Sequence, residues 1–205
     1  MTQVKVCGIC DPAAARVAAH AGADLLGFHF CSSRRRITPG EGRAIVQALE
    51  DLGDRRPRLV GVFIDQSEAE VEAVARTVGL DLVQLHGSEP ASFRAGLPVM
   101  KALKVRDGRL PDTDGWPEPI LLDSWSPDQR GGTGRQWDWE SARDLVRRRR
   151  VFFAGGLVPD NVGEVVRRYH PYGVDVSSGV ERAIRVKDPA LIGAFVQAVR
   201  EADEG

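Results

Sequence analysis

The feature that most restricts what this chain can become is an alternation repeated along its length. Short apolar stretches of strand length are each followed by a longer stretch of helical period. Strands are predicted over residues 4–7, 24–30, 58–64, 81–85, 98–104, 120–123, 151–154 and 173–176. Helices are predicted over 12–20, 40–52, 67–78, 90–95, 138–149, 159–169 and about 188–201. Residues 107–119, between the fifth and sixth strands, are rich in Pro, Asp and Gly and are predicted as loop, with at most a degenerate helix.

Repeated β-then-α units imply parallel strands with right-handed crossovers, and eight such units can close into a barrel with the helices outside. The expected fold is therefore α/β: a single (βα)8 TIM barrel over residues 1–205, its fifth helix degenerate or missing. An open doubly wound sheet competes, but eight strands without a Gly-x-Gly-x-x-Gly fingerprint disfavour it. At 205 residues the chain can bury one substantial core, and it contains no linker-like break. A formal net charge of −1 argues against a dedicated nucleic-acid surface. No apolar run approaches the roughly 20 residues of a membrane span, and the N-terminus reads as strand with no signal-peptide pattern. Three cysteines, an odd and low number, suggest reduced thiols, so a cytoplasmic location is expected.

In such a barrel, chemistry concentrates where strands run into the following loops. Strand one, Val4-Lys5-Val6-Cys7-Gly8, puts Val4 and Val6 on one face and Lys5 and Cys7 on the other. The thiol thus sits at the carboxyl end of a strand, although a small buried core cysteine is the commoner role. Strand two leads into Ser33-Arg34-Arg35-Arg36, a basic triplet that can offer a guanidinium fork to a carboxylate or remain solvated. Strand four ends Gln84-Leu85-His86-Gly87. Asp123 follows Ile120, Leu121 and Leu122, so partial desolvation is expected to raise its pKa and suit it to general acid work; capping the next loop is the alternative. Gly155-Gly156 and Ser177-Ser178-Gly179, after strands seven and eight, offer close backbone approach and free N–H groups to an anion, where ordinary glycine turns are the plain alternative. Gly131-Gly132-Thr133-Gly134 lies in a long loop that can close as a lid. Arg147–Arg150 reads as a solvated helix end.

Taken together, these segments resemble the phosphoribosylanthranilate isomerase family of tryptophan biosynthesis over essentially the full length. The resemblance rests on Lys5-Val6-Cys7-Gly8-Ile9, Gly27-Phe28 with Ser33-Arg34-Arg35, Gly61-Val62-Phe63 and Val83-Gln84-Leu85-His86-Gly87. It continues through Leu121-Leu122-Asp123 with the Gly131–Gly134 loop, Gly155-Gly156-Leu157, and Asp175-Val176-Ser177-Ser178-Gly179-Val180-Glu181, all in family order. It implies an isomerase catalysing a cofactor-free, metal-free Amadori rearrangement of N-(5-phosphoribosyl)anthranilate. Asp123 matches the general acid, Cys7 the general base and Arg35 the arginine that holds the anthranilate carboxylate. Gly155, Gly156, Ser177, Ser178 and Gly179 match the phosphate turns, with Asp175 beside them and His86 as a further substrate contact. The implied partner is a small phosphosugar, with no nucleic acid or membrane, and the protein is expected to be a monomer or homodimer.

Three positions depart from the family pattern. His29 stands where a β-branched or small apolar residue is usual, Cys10 where Thr is frequent, and Ile184-Arg185 where a Pro-Gly pair is common. They leave room for a specialised relative acting on a modified anthranilate or another N-ribosyl phosphate. The rival readings are a Cys7-x-x-Cys10 dithiol, a zinc site from Cys7, Cys10, His29 and Cys31, a phosphosugar-binding protein without catalysis, and a Schiff-base lysine at Lys101 or Lys104. For the lysines, a buried or snorkelling side chain is the plainer reading. Lys5, on the same face as Cys7, or the helix starting near Pro12, is expected to lower the Cys7 pKa.

Overall fold

The structure, a computed structural model, describes residues 1–106, 108–124 and 137–205. Eight parallel strands close on themselves in sequence order, and the eighth pairs with the first. In chain order the barrel strands are β1 Gln3–Cys7, β2 Leu25–His29, β3 Arg58–Phe63, β4 Leu82–Leu85, β5 Val99–Val105, β6 Ile120–Ser124, β7 Val151–Phe153 and β8 Gly173–Val176. The helices are α1 Pro12–Ala21, α2 Pro39–Gln47, α3 Glu68–Val78, α4 Arg143–Val146, α5 Pro159–Tyr169 and α6 Pro189–Glu204. A small hairpin, β9 Glu181–Ala183 and β10 Val186–Lys187, follows β8.

Strand parity divides the core in two. Leu25, Val60, Leu82, Met100, Leu121 and Phe152 point inward and fill the lower barrel. Val4, Val6, Leu26, Phe28, Phe63 and Phe153 point outward into the layer under the helices. The helices begin where the sequence supplies caps. Asp11 accepts from the Ala14 amide ahead of α1, and Thr38 with Glu41 and Ser67 with Glu70 form capping boxes. The last helix returns to the first strand. Asp203 accepts from the amide and hydroxyl of Thr2 at 2.8 and 2.7 Å, and Arg200 donates to the Thr2 carbonyl at 2.6 Å.

Four predicted segments differ. Residues 90–95 form a turn, not a helix. The chain there is tethered by Glu89, which accepts from the amides of Asp65 and Gly87 and from Lys101 Nζ. Gly96 at φ 65° then turns the chain, leaving too few residues to repay helix nucleation. The helix predicted to Leu52 stops at Gln47 and continues as a 3-10 stretch, Glu50–Arg55, broken by Gly53 in a non-helical conformation. The one predicted over 138–149 shrinks to a 3-10 turn, Trp139–Ala142, and one α-helical turn, α4. Arg149, read above as solvated, donates to the carbonyls of Thr113 and Trp116 at 2.6 and 2.7 Å and pairs with Glu118. It pins the irregular segment that stands in for a helix between β5 and β6.

Candidate active site

At the carboxyl ends of the strands lies a cavity of about 530 Å³, and Cys7, Asp123, Arg35, His86, Asp175 and the glycine and serine turns after β7 and β8 all line it. Cys7 and Asp123 face the same space from strands on different sides of the barrel. The Gly131–Gly134 loop lies outside the described residues.

The thiol end is built by β1 and β2. Parity turns Lys5 and Cys7 inward, and Cys7 lies opposite Gly27 in register. A Cβ on Gly27 would meet the Cys7 sulfur at 2.6 Å and Lys5 Nζ at 3.1 Å, so only glycine leaves room for both groups. His29 is next inward on β2; its Nε2 lies 3.3 Å from Cys7 Sγ, and its Nδ1 2.7 Å from Ser33 Oγ. Burial pushes the Cys7 thiol up; Lys5 opposes this and Asp175 adds to it. Lys5 thus lowers the thiol as expected, but burial outweighs it and the net shift is upward. The fully buried Lys5 ammonium is paired with Asp175 at 2.8 Å, and the α1 terminus is already capped by Asp11.

The carboxyl end is built by β4, β5 and β6. Lys104 and Asp123 are in register on adjacent strands, with Nζ and Oδ2 2.8 Å apart. His86 Nε2 lies 3.3 Å from the same oxygen, and Gln84 Nε2 lies 3.3 Å from His86 Nδ1. Burial alone would raise the Asp123 carboxyl, as the sequence suggested, but His86 and the Lys104 ammonium outweigh it and hold the group well below the usual carboxylate range. The free site therefore carries its proton on sulfur and its negative charge on Asp123.

The third wall is made by the turns after β7 and β8. Gly155 and Gly156 take φ of 86° and 72°, a conformation that favours glycine. Asn161 ties the turn down, donating to the Gly156 carbonyl and accepting from the Val158 amide, both at 2.9 Å. Gly179 packs against the Leu157 carbonyl, and Lys187 Nζ donates to the Ser177 carbonyl at 2.9 Å. Among the described residues, the amides of Gly156, Ser178 and Gly179 have no acceptor, and the buried Ser177 Oγ has no partner. Such a set of donors facing a cavity suits a phosphate.

Arg35 is buried while Arg34 and Arg36 are exposed. It lines the cavity, and its Nε and Nη2 bind Glu181 at 2.7 and 2.6 Å, a bidentate pair that fixes the guanidinium plane and leaves Nη1 outside the pairing. Cys10 does not join Cys7. Its sulfur contacts the carbonyls of Gly8 and Arg35, each at 3.5 Å, and it does not line the cavity. Among the described residues no group of three or more His, Cys, Asp or Glu side chains is arranged for a metal, so the four-residue zinc arrangement is not formed. Lys101 is buried, held by Glu89 at 2.7 Å and the Gly87 carbonyl at 2.6 Å, beneath the Trp116 ring. Lys104 is the residue that sequence reasoning undervalued; its parity with Ala102 and Met100 already turned it inward.

A (βα)8 barrel whose strand ends gather a thiol, a carboxyl and a cradle of free amides defines an enzyme for a small anionic substrate. The particular kind follows from comparison. Residues 4–198 match the model of the N-(5'-phosphoribosyl)anthranilate (PRA) isomerase family. An N-(5'-phosphoribosyl)anthranilate isomerase from Pelobacter propionicus is 42% identical over 206 residues, covering 98% of this chain and 97% of that protein. The phosphoribosyl anthranilate isomerase of Thermus thermophilus superposes with a TM-score of 0.87 at 36% identity, covering 98% of this chain and 99% of that one. A further isomerase structure, solved in complex with reduced 1-(o-carboxyphenylamino)-1-deoxyribulose 5-phosphate, does so with a TM-score of 0.83 at 32% identity, covering 98% and 100%. The chain belongs to the N-(5'-phosphoribosyl)anthranilate isomerase family. Among the described residues no helix is long and apolar enough to cross a membrane.

Proposed function

We propose that this protein rearranges N-(5-phosphoribosyl)anthranilate to 1-(2-carboxyphenylamino)-1-deoxyribulose 5-phosphate in tryptophan biosynthesis, with Asp123 as general acid and Cys7 as general base. The observation that carries this reading is that the thiol and the carboxyl share one cavity with the amide-rich turns at Gly156 and Ser177–Gly179. A phosphate held by those turns, with Asp175 beside them, leaves the sugar between sulfur and carboxyl. Asp123 gives its proton to the ribose ring oxygen as the bond from C1 to that oxygen breaks, forming an iminium. Cys7 thiolate then takes the proton from C2, and the electron pair neutralises the nitrogen to give an enolamine. Gain of a proton at C1 and loss of the O2 hydroxyl proton complete the ketone and balance the two earlier transfers. Arg35, braced by Glu181, presents Nη1 to the anthranilate carboxylate, and His86 contacts the substrate beside Asp123.

The reactive form needs the proton on the carboxyl and the charge on sulfur, the reverse of the free site. Only a minority of the free protein is in that form, and the groups facing each atom set its share.

The test is incubation with freshly formed phosphoribosylanthranilate, following loss of its fluorescence. Turnover supports the reading. Absence of turnover, with a modified anthranilate or another N-ribosyl phosphate consumed instead, replaces it with the specialised relative that the departures at His29, Cys10 and Ile184-Arg185 leave room for.

A further inference from the structure

We infer that His29 is the positioning residue of Cys7: it donates a hydrogen bond from Nε2 to the sulfur and so favours the thiolate, with Ser33 fixing the tautomer that makes this donation possible. The inference rests on the reading of Cys7 as the base and deepens it.

The direction of the chain of hydrogen bonds follows from counting protons. Ser33 Oγ accepts the Arg35 backbone N–H at 3.1 Å. Its own single proton has His29 Nδ1 as the acceptor at hand, 2.7 Å away. With that lone pair occupied, the ring proton resides on Nε2, the nitrogen 3.3 Å from Cys7 Sγ. The ring is uncharged at neutral pH. Burial, then Lys5, His86, Arg35 and Lys187 around it, pull its pKa down to about 3. These side chains reach it from β1, the residue after β4, the loop after β2 and β10, with the Asp175 carboxylate on β8 paired to Lys5. His29 therefore meets the sulfur as a dipole, not as an imidazolium.

The sulfur needs such a donor. A thiolate is the form that abstracts a proton, yet the Cys7 site is buried and its lysine is shared with Asp175. A buried charge must be compensated by hydrogen bonds from its surroundings. Beyond Lys5, the apolar neighbours Val62 and Cys31 pack beside the sulfur and offer little such compensation.

The test is the pH dependence of iodoacetamide alkylation of the full-length protein, read on the Cys7 peptide by mass spectrometry, alongside the pH profile of kcat/KM. His29→Leu is expected to move the Cys7 alkylation midpoint up by about one pH unit or more. His29→Gln, which keeps a side-chain N–H, is expected to recover part of that shift, and Ser33→Ala to move the midpoint by less in the same direction. Because the free site holds its proton on sulfur, it is the basic limb of kcat/KM that moves up with the midpoint, and the plateau falls about tenfold per pH unit moved. An unchanged midpoint in a folded His29→Leu protein overturns the inference, and so does a lower one. The alkylation readout needs no turnover: if Cys7→Ala remains active, the base assignment fails while the His29–Cys7 bond is still measured.

Discussion

At one end of the cavity a thiol stands beside a histidine and a lysine; at the other, a carboxyl stands beside a histidine and a lysine. Cys7 is 4% exposed and Asp123 5%, so burial presses on both groups about equally. The outcomes nevertheless diverge, with Cys7 pushed up and Asp123 pulled down. Two partners on Asp123 account for the difference: His86, and Lys104, whose ammonium lies 2.8 Å from the carboxylate, together outweigh burial. Lys5 also lowers Cys7, but its ammonium is shared with Asp175 at 2.8 Å, and burial wins at the sulfur.

Several substitutions test this contrast. The largest effect is expected from removing either end outright. Cys7→Ala and Asp123→Asn should each lower kcat by about 10²–10⁴-fold with the fold retained, checked by steady-state turnover and circular dichroism. Wild-type-like turnover in either would reject the acid–base pair. Next, Lys104→Met should raise the Asp123 carboxyl by roughly 1–3 units, measured by carbon NMR titration. If it does not move, His86 holds the carboxylate alone. Asp175→Asn should release Lys5 to the sulfur and lower the Cys7 alkylation midpoint by about one unit; a rise would mean that the ion pair, not the free ammonium, sustains the thiolate.

The smallest effect concerns stability. His29 is held neutral in the fold, its pKa lowered to about 3, while the unfolded chain titrates near the ordinary 6.5. Between those values the unfolded state binds the extra proton, so stability falls as pH falls from about 6.5 toward 3. Wild type should lose about 0.7 kcal/mol between pH 7 and 6 from this source, and His29→Leu should not, as read by urea unfolding at the two pH values. Equal losses in both proteins would show that the ring titrates freely in the fold.

Much of the site was legible because strand parity is a local property. Lys5 with Cys7, and Asp123 after three apolar residues, could be placed inward at strand ends from sequence alone, and the glycine turns after β7 and β8 announced themselves by composition. What was not legible depended on partners far apart in the chain. The downward shift of Asp123 turns on His86 and on Lys104, 19 positions away, and at Cys7 burial wins while Lys5 is shared with Asp175, 170 positions away. The helix predicted over 90–95 failed for a similar reason: its apolar pattern was real, since Phe93 and Ala95 are buried, but Glu89 ties the preceding chain to Asp65 and Lys101. Arg149 passed for surface charge until the carbonyls of Thr113 and Trp116 were seen converging on it.

The grip of Asp203 and Arg200 on Thr2 carries a consequence for the sulfur. Thr2 immediately precedes β1, and β1 registers on β8, so the same seam that joins the last helix to the first strand aligns Lys5 with Asp175 and sets Cys7 beside the turn that follows β8. Trimming or re-engineering the final helical turn would thus slacken a zipper whose last teeth are reactive groups. Damage some two hundred residues downstream of the thiol would surface first as misalignment at the thiol itself.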